Sequence, residues 1–402
     1  MTVLSPARPE SRPAARGVRI DERRVRGVVA LLVLLAQVVG AVGLAWDIQW
    51  HISVGRDTFL TPPHILLYTS VTLIGLLCLA LVLFDTWRAR YGAGVDDANS
   101  VRVFGLFRAP VGFVLAGFGA LTTALAAPLD NYWHELYGVD VALWAPFHTM
   151  GSLGGFIGLL GMLYAWSSLL ASGPRPRSWR LRRPAWGVLG TLMLLVGTAT
   201  VQARPALATS PMLTLGSVKI ALYPVLLALF VPWLLVVARR VTGSVWAPLL
   251  TVGMWAAFTL SLSVVVPWLV EAGAAAEGLP LRGQGVGAGL ALLTALLVVG
   301  LGLVGALATA LLRGWSLGRA LSRKTLLLGG AGLGLALWLL GSGLALFAAR
   351  QIGLIGDLAV QISRTGASPL SLLLALPVSL AAAMASTALG LELSQVLGRS
   401  RR

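Results

Sequence analysis

Apolar runs close to twenty residues long recur along the whole chain, separated by short stretches that carry nearly all of its charge. A run of that length, coiled as a helix, matches the hydrocarbon thickness of a bilayer. Ten spans are predicted, at 27–46, 64–85, 107–127, 147–170, 185–203, 215–238, 246–268, 288–312, 325–348 and 369–390. The expected fold is therefore all-α: a polytopic membrane bundle of about ten transmembrane helices, with the lipid bilayer as its first partner. The stretch 1–26, rich in Arg and Pro, precedes a run too long for a signal-peptide core and reads as a flexible basic cytoplasmic tail. Residues 391–402 read as a second basic tail.

Composition agrees with the pattern. The 402 residues are 57% hydrophobic and only 11% charged, against about 25% charged in soluble proteins. A net charge of +16 raises the question of nucleic acid. The distribution argues against it, because the positive charge is almost all Arg and is spread over segments between apolar runs. Placing both termini in the cytoplasm gathers most of the 31 Lys and Arg on that side. Arg56, Arg204, Arg282, Arg350 and Arg364 are left in outer loops. A multi-pass protein of the cytoplasmic membrane follows, with no nucleic-acid partner. The single cysteine, Cys78, excludes an internal disulfide and reads as a core residue. Lys219 and Glu271 are expected at the outer ends of the sixth and seventh spans. If either packs against the first four spans, it becomes a candidate for handling protons. Pro224, Pro232, Pro267 and Pro377 are expected to kink their helices.

The polar positions of the first four spans are not random. Asp47, Trp50, His51, Gly55, Asp57, Pro62 and His64 recur, in the same order, as Asp130, Trp133, His134, Gly138, Asp140, Pro146 and His148. Each set joins the outer end of one span to the outer start of the next. Spans one to four are thus two helical hairpins of the same orientation, an internal repeat within a unit at 27–171. Spans five to ten, a second unit at 185–390, show no third copy. The four histidines of the chain all lie in the two copies.

In each copy the Asp-to-His interval of four residues puts both side chains on one helix face. The prolines just before His64 and His148 mark the start of the next helix. The second His of each copy therefore returns towards the first pair. One carboxylate and two imidazoles converging at the membrane surface make a three-ligand site for a transition metal; copper, zinc, iron and nickel all suit it, and spacing does not choose among them. Three protein ligands leave one position open, as in catalytic sites. A structural polar cluster with no metal is the competing reading. Asp57 and Asp140 read as orienting an imidazole through its other nitrogen, or as turn and helix-cap residues. Trp50 and Trp133 read as neighbours of the ligands at the membrane interface. Gly55 and Gly138 read as supplying turn conformations.

The stretch WHISVGRDTFLTPPH, residues 50–64, resembles the metal-binding segment of the C-type subunit of the copper membrane monooxygenases, the particulate methane and ammonia monooxygenases. In that family an Asp, a His four residues on and a second His thirteen further bind copper. Asp47, His51 and His64 match that spacing, and the RDT-x-x-TP-x-H wording matches too. A second triad of the family has Asn, a His at four and another fourteen further. Asp130, His134 and His148 reproduce it, with Asp in the Asn position. The resemblance covers spans one to four. It implies two adjacent copper sites near the extracytoplasmic face, one of them a candidate for oxygen activation. It also implies partners: other membrane subunits, one of them bearing cupredoxin domains. Asp at both triads makes the second site more anionic than the family's, so that it holds metal more tightly or shares a dinuclear centre with the first.

Three functions compete. The first is a copper-dependent membrane oxygenase, or a subunit of one, that oxidises a small apolar substrate with O2. The second is a membrane metal transporter or delivery protein, which needs further polar ligands at depth. The third is a structural protein whose His/Asp clusters tie helices together. Whether the chain is an enzyme is left open by its residues.

Overall fold

The computed structural model describes residues 21–55, 58–91, 99–138, 144–172, 181, 183–208, 212–282, 288–312, 323–350 and 368–399. Ten helices among them are long and apolar enough to cross a membrane, so the predicted multi-pass helical architecture holds. In chain order they are α1 (Glu22–Ser53), α2 (Pro62–Arg90), α3 (Val111–Tyr137), α4 (Pro146–Ala171), α5 (Arg183–Ala208), α6 (Leu222–Thr242), α7 (Ala247–Ala276), α8 (Ala288–Leu311), α9 (Arg323–Arg350) and α10 (Pro369–Arg399).

Several boundaries differ from the sequence reading, each for a local reason. Helix α1 begins inside the expected N-terminal tail because the Asp21 carboxylate accepts from the N–H groups of Arg23 and Arg24. Helix α10 continues to Arg399, through most of the stretch expected to be a tail. Two short antiparallel hairpins were not foreseen: β1 (Ser100–Val103) with β2 (Phe107–Pro110), and β3 (Met212–Leu215) with β4 (Val218–Ala221). The second turns on Gly216-Ser217, with Gly216 at φ +63°, the requirement of a two-residue turn. It takes up residues that hydropathy alone had assigned to the sixth span. Lys219 consequently stands exposed on β4 rather than at a helix end. Pro224 falls in the first turn of α6, where a missing N–H costs nothing, so it does not kink that helix as expected. Pro232, Pro267 and Pro377 do lie inside their helices, as does Pro128 in α3.

Small residues decide how closely the helices approach. Between α3 and α4 the backbones touch: a Cβ added at Gly112 would lie 2.6 Å from the Gly161 carbonyl oxygen. Gly119, Gly154 and Gly158 continue this seam. Between α1 and α2, Gly40 makes room for Ser70, whose hydroxyl donates to the Ala36 carbonyl at 2.7 Å. At the start of α1, Arg26 pairs with Asp85 of α2 at 2.8 Å and also with Glu22, and Arg88 reaches Glu22 at 3.6 Å. Asp85 is fully buried, and stranding one member of a buried pair costs about 3–5 kcal/mol. Helices α5 and α6 form the centre of the bundle, with 72% of each span buried. The first four helices dock on the rest where α1 meets α5 and α7, and where α4 meets α5.

These contacts run antiparallel along each neighbouring pair from α1 to α4. The C-terminal ends of α1 and α3 and the N-terminal ends of α2 and α4 therefore share one end of the bundle. Both histidine sets lie there.

Candidate metal centres

Helix α1 spans 32 residues, about 48 Å, and outlasts a hydrocarbon core of roughly 30 Å. Its last turns carry Asp47 and His51 on one face, beyond the predicted end of the span. After the turn through Gly55, at φ +68°, α2 starts with Pro62 and Pro63 in its first turn and His64 immediately after. This closes the first triad: His64 Nε2 lies 3.1 Å from Asp47 Oδ1, and His51 Nδ1 lies 3.6 Å from the same oxygen. The second triad is built the same way. Asp130 and His134 end α3, Gly138 reverses the chain at φ +84°, and Pro146 opens α4 ahead of His148. His134 Nε2 and His148 Nε2 lie 3.4 and 3.2 Å from one oxygen, Asp130 Oδ2. Among the described residues, these three form the group whose ligand atoms all lie within 4.8 Å of one another.

The other ring nitrogens of His64 and His134 narrow what the converging ones carry. His64 Nδ1 meets the Thr58 carbonyl at 3.0 Å, and His134 Nδ1 meets the Gly138 carbonyl at 3.2 Å. A carbonyl can only accept, which assigns the hydrogen to Nδ1 in both rings. A neutral ring so held points the Nε2 lone pair at a carboxylate oxygen, which is also an acceptor. Two acceptors at 3.1–3.4 Å repel unless a cation, metal ion or second proton, stands between them. The carboxylates sharpen the point: Asp47 Oδ1 and Asp130 Oδ1 are buried and make no hydrogen bond. Two imidazoles and a carboxylate, oriented by backbone carbonyls, fit a transition-metal ion.

The two triads differ in their surroundings. In the first, His51 Nδ1 contacts its own helix at the Asp47 carbonyl, 2.9 Å away, so the nitrogen nearest the carboxylate is already engaged. The His51 and His64 rings stand 6.3 Å apart, against 5.6 Å for His134 and His148. Trp50 is completely buried, packed with Val54 against Val266, Val270 and Ala274 of α7. Arg282 donates its backbone N–H to the Ser53 carbonyl at 2.7 Å, and its side chain lies over Gly55. Trp133 has a more local environment, against Tyr137 and Phe147 at ring distances of 4.4 and 5.9 Å. The second triad meets α5 through neighbours: Trp144 donates to the Gln202 carbonyl at 3.2 Å, and Gln202 donates to Ser152 at 2.8 Å.

The structure thus brings together each predicted trio of ligands. Asp57 and Asp140 lie outside the described residues. Cys78 is buried in the main core, as expected. Glu271 is exposed on α7. Sequence reasoning missed Thr58, Thr61 and Arg282. Of the two threonines only Thr61 was legible in principle, since it stands at the N-cap position just before Pro-Pro, although its hydroxyl bonds Thr58 rather than the helix. Nothing local marks Arg282, which reaches the turn at Ser53 and Gly55 from the far half of the chain. No family model, curated protein or solved structure matches the chain.

Proposed function

We propose that this is a copper-binding membrane protein with its two triads at the extracytoplasmic face and both termini in the cytoplasm. The observation that carries the reading is the convergence of two imidazole Nε2 atoms on a single Asp130 oxygen, with the His134 hydrogen held on the opposite nitrogen. The membrane orientation rests on the positive-inside asymmetry. The preference for copper over zinc or iron rests on the wording shared with the C-type subunit of the copper membrane monooxygenases. That likeness also supports an oxidative role towards a small apolar substrate dissolved in the bilayer, with other membrane subunits or a cupredoxin-bearing protein as partners.

Copper, when bound, supplies one-electron redox chemistry. The chain's own part is to prepare for it. Asp47 and Asp130 provide negative charge, and the four histidines provide imidazole nitrogen donors that suit copper. The carbonyls of Thr58 and Gly138 fix two of the rings. Transport is less well supported, because it needs ligands at depth. Among the described residues, the buried polar side chains within the spans are scattered hydroxyls, Gln37 and Gln49 of α1, Arg239 near the end of α6 and the ion pairs at the start of α1, and none of them adds an imidazole or thiolate ligand.

Metal content by mass spectrometry of the purified protein, beside a His51→Ala/His134→Ala double variant, tests the reading. Stoichiometric copper that disappears in the variant is the expected result. Bound zinc in its place would remove the oxidative role, and bound iron would keep oxidative chemistry open while removing the copper assignment. A folded, copper-supplemented protein that carries no metal would leave the clusters as helix ties.

A further inference from the structure

Beside the first triad lies a cleft of about 320 Å³, lined by Thr58 and Thr61 on one side and by Glu277 and Leu279 on the other. We propose that this cleft is the port through which a hydrated divalent cation reaches Asp47, His51 and His64, with Glu277 as the carboxylate that captures it. The proposal rests on the metal-binding reading of that triad. It gives the second half of the chain a function the triads alone do not explain.

The inner wall is wired to a ligand. The Thr58 carbonyl accepts from the Thr61 hydroxyl at 2.6 Å and from the His64 ring at 3.0 Å, and the Thr58 N–H donates back to Thr61 Oγ1 at 2.8 Å. An ion in the cleft is therefore one hydrogen-bonded residue away from the His64 imidazole. The outer wall is held just as firmly. Helix α7 ends with Gly278 at φ +66°, while Leu279 N–H donates to Ala274 and Gly278 N–H donates to Ala275. These are the paired bonds of a Schellman cap, and the apolar residue that follows such a glycine packs back on the helix. Leu279 does so against the cluster of Trp50 and Ala274. The segment then runs to Arg282, whose N–H closes on Ser53. Glu277 is the last residue before that glycine, exposed, at the negative end of the α7 dipole.

Charge and size agree on the occupant. Among the described residues, the lining carries one carboxylate and three uncharged residues. The Arg282 guanidinium lies over Gly55 and is not part of the lining. A divalent ion with six waters occupies on the order of 200 Å³, taking about 30 Å³ for each water. It fits the cleft with its hydration shell and exchanges waters for protein ligands one step further in.

The test uses the full-length protein in lipid nanodiscs, with the second triad disabled by His134→Ala/His148→Ala. Copper(II) loading is followed by stopped-flow quenching of tryptophan fluorescence, since Trp46 and Trp50 flank Asp47. Glu277→Gln should slow loading about tenfold at low ionic strength, with the difference shrinking as salt is added and the bound stoichiometry unchanged. Leu279→Trp, which fills the cleft, should slow both loading and chelator-driven release and leave the affinity unchanged. Wild-type rates in both variants, at full stoichiometry, would overturn the port and leave the metal site standing. A single-triad protein that takes up no copper would overturn the site itself, and the port with it.

Discussion

The two triads read alike in sequence and are held differently in space. The second is assembled from its own hairpin: both of its imidazoles present Nε2 to one carboxylate oxygen, and α3 ends at a glycine bonded back to His134, where an added methyl group would meet no described residue. The first is assembled by the hairpin and then enclosed by α7 and the segment after it. Its His51 nitrogen nearest the carboxylate is bonded to the backbone. The second triad therefore has its donor atoms already converging, as the proposed metal site requires. The first reaches that arrangement only if the His51 ring turns to present its other nitrogen. Ligand spacings that differ by one residue, thirteen against fourteen between the histidines, give two different starting geometries, and the packing around each hairpin differs as well.

The sharpest way to break this comparison is to remove one ring from each triad. His134→Ala is expected to weaken binding at the second site by roughly a hundredfold, measured by competition with a chromophoric chelator. His51→Ala is expected to weaken the first by about tenfold, because that ring is not yet aimed at the metal. Equal losses would mean that metal drives both triads to one geometry.

A second comparison concerns the two turns. Gly55 and Gly138 both sit at positive φ, Gly138 with ψ 170°, and a residue with a side chain held in such conformations costs on the order of 1–3 kcal/mol. A methyl group at Gly138 meets open space, whereas at Gly55 it collides with the Arg282 guanidinium. Gly55→Ala is expected to lower thermal stability more than Gly138→Ala, and to loosen copper only at the first triad. Matching melting shifts would show that the α7 segment does not press on the first turn.

The smallest effect is the most diagnostic. An Asn amide can donate to a lone pair that a carboxylate repels. Asp130→Asn should therefore remove metal yet leave the metal-free protein as stable as before, or more stable by about 1 kcal/mol. A marked fall in metal-free stability would identify the cluster as an imidazolium–carboxylate tie.

How much of this could be read from the chain varies with the range of the interaction. Helix number followed from run length, because every backbone group in lipid must be satisfied within its own segment. The triads followed from spacing, because an interval of four residues and a proline at a helix start are local rules. The strands around Gly216 were hidden under hydropathy: Val218, Ile220 and Ala221 look like helix in a bilayer and like strand beside a tight turn. The pairing of Arg26 with Asp85, and of Arg282 with the turn at Gly55, joins distant positions that no local pattern links. Trp50 is the clearest case. Its place beside a ligand suggested an interfacial aromatic, and it proves to be the main anchor between the first helix and the seventh.

The glycine seam between α3 and α4 makes the second triad sensitive to events well below it. With Gly112, Gly119, Gly154, Gly158 and Gly161 in backbone contact, the two helices move as the arms of a tool riveted along its length. Asp130 and His134 sit on one tip and His148 on the other. A single methyl group at Gly119 would prise the arms apart about 16 Å from Asp130, counting eleven residues at 1.5 Å each. Coordination bonds tolerate displacements of only about 0.2 Å. The geometry of the second triad is thus set by the smallest side chains in the protein, which lie far from its ligand atoms.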